Sequence, residues 1–255
     1  MTLKYLLINE KEKVATITIN RPDKGNALSP QVLDEITQVF TSIGNREDIN
    51  VVVLTGGEKY FSAGFDLNEI RKIEKESNHA YISLFHRAYR SIIFCPQPVI
   101  CAVGGPAIAG GFDLTLMCDI RYASERAKFG QREVLLSLTP VMDPLWRIIG
   151  LGRAKEVTLT GRIYDVDEAE RMGYVSRVFP DGKLLESVGV IAREMAACDH
   201  RCLKETKQLS NKVLSEDLDG AMQIQEWLFR NYIGSEDNHQ RIDALLKKLE
   251  LMKKI

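Results

Sequence analysis

Apolar and polar residues alternate through "VATITIN" at residues 14–20, the pattern of a half-buried strand. The turn-rich "RPDKGNAL" follows. Ser29 and Pro30 then supply an N-cap and a first-turn proline, and Val32, Leu33, Ile36, Val39, Phe40 and Ile43 recur behind them at helical spacing. "VVVLTGG" at 51–57 predicts a short buried strand ending in glycines. Residues 68–92 predict a polar helix, and "VICAV" a second buried strand. "GRIYDVDEAERMGYVSRVF" predicts a helix capped by Asp167 and ended by Gly173, then a strand over "YVSRVF". Strand patterns vanish after about Lys183, where "SEDLDGAMQIQEWLFRNYIG" predicts a helix opened by Ser215 and stopped at Gly234. The order is therefore strand–turn–helix units followed by a helical tail.

One passage tests that reading. Residues 91–112, "SIIFCPQPVICAVGGPAIAGGF", are uncharged over a length able to span a bilayer. They hold Pro96, Pro98, Pro106 and four glycines, and Asp113 closes them, so they predict a buried strand–loop–helix passage rather than a membrane span.

The 255 residues are 45% hydrophobic and 27% charged with net charge -1, the balance of a globular chain. No basic run offers a nucleic-acid footprint. The N-terminus lacks the basic, apolar and small-residue regions of a secretory leader. Five cysteines, an odd count, point with it to a reducing, cytoplasmic location. "CDHRC" (Cys198, His200, Cys202) fits no standard zinc spacing, so no metal is expected.

The candidate chemistry lies in three glycine-marked turns behind strands, "GGEKYFSAGFDL", "GGPAIAGGFDL" and "FGQREVLLSLTP". Two backbone N–H groups from such turns, converging on one oxygen, form an oxyanion hole. Ordinary strand-to-helix turns produce the same pattern. Asp113 stands just behind the second turn, in an apolar run where an unpaired charge is costly. Glu133 follows twenty residues later. Two carboxylates beside one oxyanion hole can divide general base and general acid roles around a water. Taken singly, Glu133 reads equally as a surface glutamate and Asp113 as a capping or hydrogen-bonded aspartate. The four histidines (79, 86, 200 and 239) lie outside these turns, and no Ser–His–Asp arrangement is visible.

Taken together, "NRPDKGNAL", "FSAGFDL", "PVICAVGGPAIAGGFDLTLMCDIRYASERAKFG" and "LGRAKEVTLTGRIYDVDEAERMGYVSRVF", in this order, resemble the crotonase, or enoyl-CoA hydratase/isomerase, superfamily from about Val14 to Ile233. The resemblance implies an α/β (α+β) fold, a spiral of ββα repeats over residues 1–197 that binds acyl-CoA and carries catalysis. A helical region over 198–255 would make a homotrimer or a dimer of trimers. It implies stabilisation of an enolate derived from an acyl-CoA thioester, with coenzyme A as part of the substrate and no further cofactor. Phe65 and Gly110 would give the oxyanion N–H groups, and Asp113 and Glu133 would stand where the hydratases hold water. Lys24 and Ala27 would lie nearest the CoA nucleotide and Ala63 at its adenine or pantetheine end. Asp66 would support the turn, and it and Leu67 belong to the CoA-binding set.

The chain departs from the pattern in four places. Asp113 replaces a glutamate and is one methylene shorter. Arg132 replaces a proline. "PVMDPLWRI" replaces a glycine-rich acyl-pocket segment, and the usual C-terminal motif is absent. "TPVMDPLWRI" is expected to wall the acyl site with Val141, Met142 and Leu145, and Trp146 to pack into the core. Four functions stay open: hydration; isomerisation, with Asp143 a candidate third acid; another enolate reaction such as hydrolysis or decarboxylation on a short or cyclic acyl group; and non-catalytic acyl-CoA binding. Leu209, Val213, Leu218, Met222, Ile224, Trp227 and Leu228 fall on more than one helix face and predict an interface.

Overall fold

The structure, a computed structural model, describes residues 3–212 and 215–252. Strands β1 (Leu6–Lys11) and β2 (Val14–Ile19) form a hairpin whose two turn residues, Glu12 and Lys13, both take positive φ. That is the backbone twist a two-residue hairpin needs. A 3-10 turn at Pro22–Lys24 leads to α1 (Pro30–Gly44), where the Ser29 hydroxyl accepts from the Val32 N–H as its cap. All six apolar positions named for this helix are buried.

β3 (Val51–Thr55) follows, then α2 (Leu67–Ile70), a 3-10 turn at Lys75–Ser77 and α3 (Asn78–Ile93). The predicted single helix over 68–92 is thus broken. "RKIEKES" offers only Ile73 to an apolar stripe, so nothing holds a continuous helix to the core there. β4 (Val99–Val103), β5 (Ala107–Ile108) and α4 (Gly110–Leu116) come next, then β6 (Ile120–Ser124) and β7 (Lys128–Gly130). A 3-10 turn at Glu133–Leu136 precedes α5 (Leu145–Ile149) and α6 (Leu151–Thr160). β8 (Tyr164–Asp165), α7 (Val166–Arg171), β9 (Arg177–Phe179) and α8 (Leu184–Ala196) complete the mixed part. The tail is α9 (His200–Lys212), α10 (Leu218–Tyr232) and α11 (Glu236–Met252).

Two sheets result. The larger runs β1-β2-β3-β4-β6-β9, parallel except for the opening hairpin, and the smaller runs β5-β7-β8. Each of β4 and β6 feeds a short strand of the small sheet and then a helix. β3 does the same through a bridge from Ser62 to Ala107. This is the spiral of strand–strand–helix turns. β3 and β4 are buried on both faces, hence their unbroken apolar runs. The uncharged 91–112 passage is the end of α3, β4, β5 and the start of α4, and no helix among the described residues is long and apolar enough to cross a membrane.

Three predicted boundaries move. Asp165, not Asp167, caps α7, because its carboxylate accepts from the Glu168 N–H at 2.8 Å where β8 leaves the chain extended. Asp217, not Ser215, caps α10 by accepting from the Gly220 N–H. In "YVSRVF" only Arg177–Phe179 pair as strand. Tyr174 and Val175 close the end of α7 instead, both donating to the Ala169 carbonyl.

The chain divides between Lys204 and Glu205 into two compact units. The first holds every strand among the described residues. In the second, Leu218, Met222, Trp227 and Phe229 on α10 and Leu245, Leu246 and Leu249 on α11 are exposed. Val213 lies outside the described residues.

Candidate active site

The loop "RPDKGNAL" and the turn "FSAGFD" are stitched into one wall. Buried Asn26 donates its side-chain amide to the carbonyls of Gly56, Tyr60 and Phe61 at 2.9–3.2 Å. The Ser62 hydroxyl donates to the Asn26 carbonyl and accepts from the Gly64 N–H. The Leu28 N–H donates to the Gly64 carbonyl, and the Asp66 N–H to the Leu28 carbonyl. Leu28 therefore bonds the residues on either side of Phe65, and the Phe65 N–H faces the other way, as in any parallel bridge.

The second glycine turn packs against this wall backbone to backbone. A Cβ at Gly111 would lie 2.3 Å from the Ser62 carbonyl oxygen, so only glycine allows the approach. Ala109, just before, holds φ 50° and ψ -127°, a conformation that a residue with a Cβ adopts only under strain. Gly110, the first residue of α4, packs against the Phe65 ring, where an added Cβ would lie 2.9 Å from the ring. Neither the Phe65 nor the Gly110 N–H has a hydrogen-bond partner among the described residues. They are two donors held at adjoining turns with nothing to receive them.

α4 then carries Asp113 inward, where it is 2% exposed. Its Oδ1 accepts from Gln131 Nε2 at 2.8 Å and its Oδ2 from the Tyr89 hydroxyl at 3.2 Å. Burial, and next the charge of Glu133, push its carboxyl up to about 8, against the opposing pull of the Gln131 and Tyr89 hydrogen bonds. Glu133 opens the 3-10 turn after β7 and is 6% exposed. Both its carboxylate oxygens are buried without a hydrogen-bond partner among the described residues. Burial raises its carboxyl too; the N–H groups of Glu133 and Arg132 oppose this but reach neither oxygen with hydrogen-bond geometry. Burial and the charge of Glu133 thus favour the protonated form of Asp113 at neutral pH.

Asp113, Glu133 and Phe65 line one cavity of 470 Å³ with Tyr81, Phe85, Leu138 and Val141. A neighbouring cavity of 260 Å³ shares Phe65, Glu133 and Leu138 and adds Ala63, Leu67, Ala109 and Arg132. Glu133 stands at the join of the two, and Asp113 lines the larger cavity alone.

The remaining candidates are placed differently. Lys24 is exposed and Ala27 half-buried on the 22–28 loop, and neither lines these cavities. Asp66 is occupied within the fold: it caps α2 through the Asn68 N–H and pairs with Arg21 at 2.9 Å. Burial pushes its carboxyl up, but the Arg21 and Asn68 hydrogen bonds outweigh this and hold it below the usual range. The segment "TPVMDPLWRI" gives the larger cavity only Thr139 and Val141. Leu145 enters the core. Trp146 does not: it is 37% exposed, its indole N–H donates to Asp143 and the Arg147 guanidinium covers its ring. Asp143 pairs with Arg147 at 2.9 Å on the surface, so it brings no third acid to the cavity.

Sequence reasoning missed four residues. Tyr81, Phe85 and Tyr89 recur at four-residue spacing on α3 and form an aromatic wall with Phe65, ring centroids 5.4–6.0 Å apart. The Tyr81 hydroxyl is buried without a partner among the described residues, and the Tyr89 hydroxyl holds Asp113. Gln131, two residues before Glu133, is the fourth. The aromatic spacing was a readable signal; the amide of Gln131 gave none.

Comparison with known proteins bears on this site. The family model described as enoyl-CoA hydratase/isomerase matches residues 9–252. A short-chain-enoyl-CoA hydratase of Clostridium acetobutylicum is 33% identical, covering 98% of each chain. A crotonyl-CoA hydratase of Syntrophomonas wolfei is 32% identical over 97% of each. The crystal structure of an enoyl-CoA hydratase from Bacillus anthracis superposes with a TM-score of 0.92 at 32% identity, covering 96% of this chain and 97% of that one.

Proposed function

The chain belongs to the enoyl-CoA hydratase/isomerase family and is an enzyme of enoyl-CoA hydratase type, and from that premise we propose how its own residues add water across the α,β double bond of an acyl-CoA thioester. The observation that carries the reading is the pair of buried carboxyls, Asp113 and Glu133, on one cavity beside two unpartnered N–H groups.

The thioester oxygen sits between the Phe65 and Gly110 N–H groups, which meet the negative charge that develops on it as water attacks. The pair holds one proton. Its ionised member takes a proton from water as the water oxygen bonds to the β-carbon, and its protonated member gives its proton to the α-carbon. Water is consumed in full, and the pair ends with one proton on the other carboxyl. The dry surroundings strengthen each of these interactions. The cavity with Ala63, Leu67 and Arg132 takes the pantetheine side, and the larger cavity takes the acyl group. Lys24 and Ala27 lie on the loop that would face the nucleotide. The surface position of Asp143 favours hydration over a three-acid isomerisation.

Incubation with crotonyl-CoA tests the reading. Loss of the conjugated-thioester absorbance, with a product heavier by one water, is the expected result; the same loss without a mass change indicates isomerisation instead, because the shifted double bond leaves conjugation.

The exposed apolar residues of α10 and α11 support a homotrimer, or a dimer of trimers, as the working assembly in the cytoplasm. Light scattering at micromolar concentration measures it, and a monodisperse monomer excludes it.

A further inference from the structure

Tyr89 is buried on α3, and its hydroxyl stands between two parts of the site: 3.2 Å from Asp113 Oδ2 and 3.3 Å from the carbonyl oxygen of Gly110. A phenol has one proton to donate and lone pairs with which to accept. With Asp113 ionised, Tyr89 donates to Oδ2, because a charged acceptor makes the stronger bond. With Asp113 protonated, the carboxyl proton is donated to the phenol oxygen, and the Tyr89 proton turns to the Gly110 carbonyl. We infer that Tyr89 is a positioning residue that couples the protonation state of Asp113 to the backbone of Gly110. Only hydrogen bonds change, and the one proton gained is the one Asp113 takes up.

The surroundings leave Tyr89 this role. Asp113 faces Glu133 and Gln131 from the chain after β7, and Tyr174 from the segment before β9. Tyr89 faces Asp113, Glu133 and Tyr81. Burial pushes all three phenols up, so they stay neutral; among the described residues Glu133 is the other carboxyl that faces Tyr89, and Asp66 and Glu69 face Tyr81. Gln131 cannot follow the change, since its amide protons are already given to Asp113 and the Val141 carbonyl. The Gly110 carbonyl belongs to the first turn of α4, so a bond to it fixes the residue whose N–H faces the thioester oxygen. That last role rests on the hydratase reading.

The experiment replaces Tyr89 with phenylalanine and measures two things. One is the carboxyl band of Asp113 in carbon-13-aspartate-labelled protein, assigned by its absence in Asp113→Asn and followed by infrared spectroscopy across pH. The other is kcat against pH with crotonyl-CoA. Losing a donor to the ionised form moves the Asp113 titration, and the alkaline limb of kcat with it, upward by about half to one pH unit. At pH 7 kcat falls about tenfold, more than KM rises, as expected when a group acting in the transition state loses its support. An unmoved titration, or a loss of kcat without the shift, overturns the inference and leaves Tyr89 a packing residue. If the phenylalanine variant does not fold, 3-fluorotyrosine at position 89 keeps the shape and makes a stronger donor. The titration must then move downward, and no movement or an upward one overturns the inference. If the wild type turns over no enoyl-CoA, the hydratase reading fails, and the infrared titration still decides the role of Tyr89.

Discussion

Gln131 Nε2 lies 2.8 Å from Asp113 Oδ1 and 2.7 Å from the carbonyl oxygen of Val141, so one amide group ties the acid to the segment that walls the acyl cavity. The acid is one methylene shorter than a glutamate, and this tie with the Tyr89 hydroxyl fixes where the shorter group stands. Gln131→Met removes the donor and leaves the Val141 carbonyl without it. Activity on crotonyl-CoA should fall by about ten- to a hundredfold, because catalytic groups displaced by as little as about 0.5 Å lose rate. The alkaline limb of the pH profile should move upward, since Gln131 favours the ionised form of Asp113. A profile with both limbs in place would mean that Gln131 only fills space.

The acids themselves should show opposite effects on rate and stability. Asp113→Asn and Glu133→Gln should each cut turnover by about two to four orders of magnitude. Full activity in Asp113→Asn would leave Glu133 working alone.

Asp113→Asn should also stabilise the fold. An aspartate whose folded carboxyl is raised to about 8 binds its proton more tightly folded than unfolded. Its cost to stability is absent below its unfolded value, grows as pH rises, and levels above about 8. The variant escapes that cost. Its melting temperature should therefore match the wild type near pH 4 and exceed it by more than about 3 °C at pH 8, given about 2–4 °C per kcal/mol for a chain of this size. A constant offset across pH would contradict the raised carboxyl.

Ala109 and Gly111 should respond in opposite directions. Ala109→Gly relieves a backbone that disfavours any Cβ and should raise stability by about 1 kcal/mol in urea unfolding. Gly111→Ala drives a Cβ against the Ser62 carbonyl and should cost at least about 3 kcal/mol, with loss of the oxyanion geometry. A soluble, active Gly111→Ala protein would show that the two turns can separate.

The acyl cavity of 470 Å³ is lined by Ile82 and Phe85 from α3 and by Leu138, Thr139 and Val141. Short or compact acyl groups should be the better substrates, at about 1–3 kcal/mol of discrimination per misplaced methylene. Comparing kcat/KM for C4, C6, C10 and cyclic enoyl-CoA measures this, and a rise through C10 would refute it.

What the sequence determined by itself was local. The caps and apolar stripe of α1, the unbroken strands β3 and β4, and the two glycine turns each depend on residues within one or two turns of each other. So does the placing of Asp113 directly behind Gly110 and Gly111. The burial of Glu133 was not local: in sequence it reads equally as a surface acid, and only the folded chain, which sets its turn against α6 and beside the cavity of Phe65 and Asp113, closes it from water. The roles of Tyr89 and Gln131 needed contacts across 24 and 18 residues, set by how α3 and β7 lie against α4. The sequence pattern misplaced Trp146 and left Asp143 a candidate acid, because an indole or a carboxylate is apolar wall or surface pair according to which way a five-residue helix faces. That choice is made by packing, which brings distant residues together at a cost and gain that no short stretch of chain encodes.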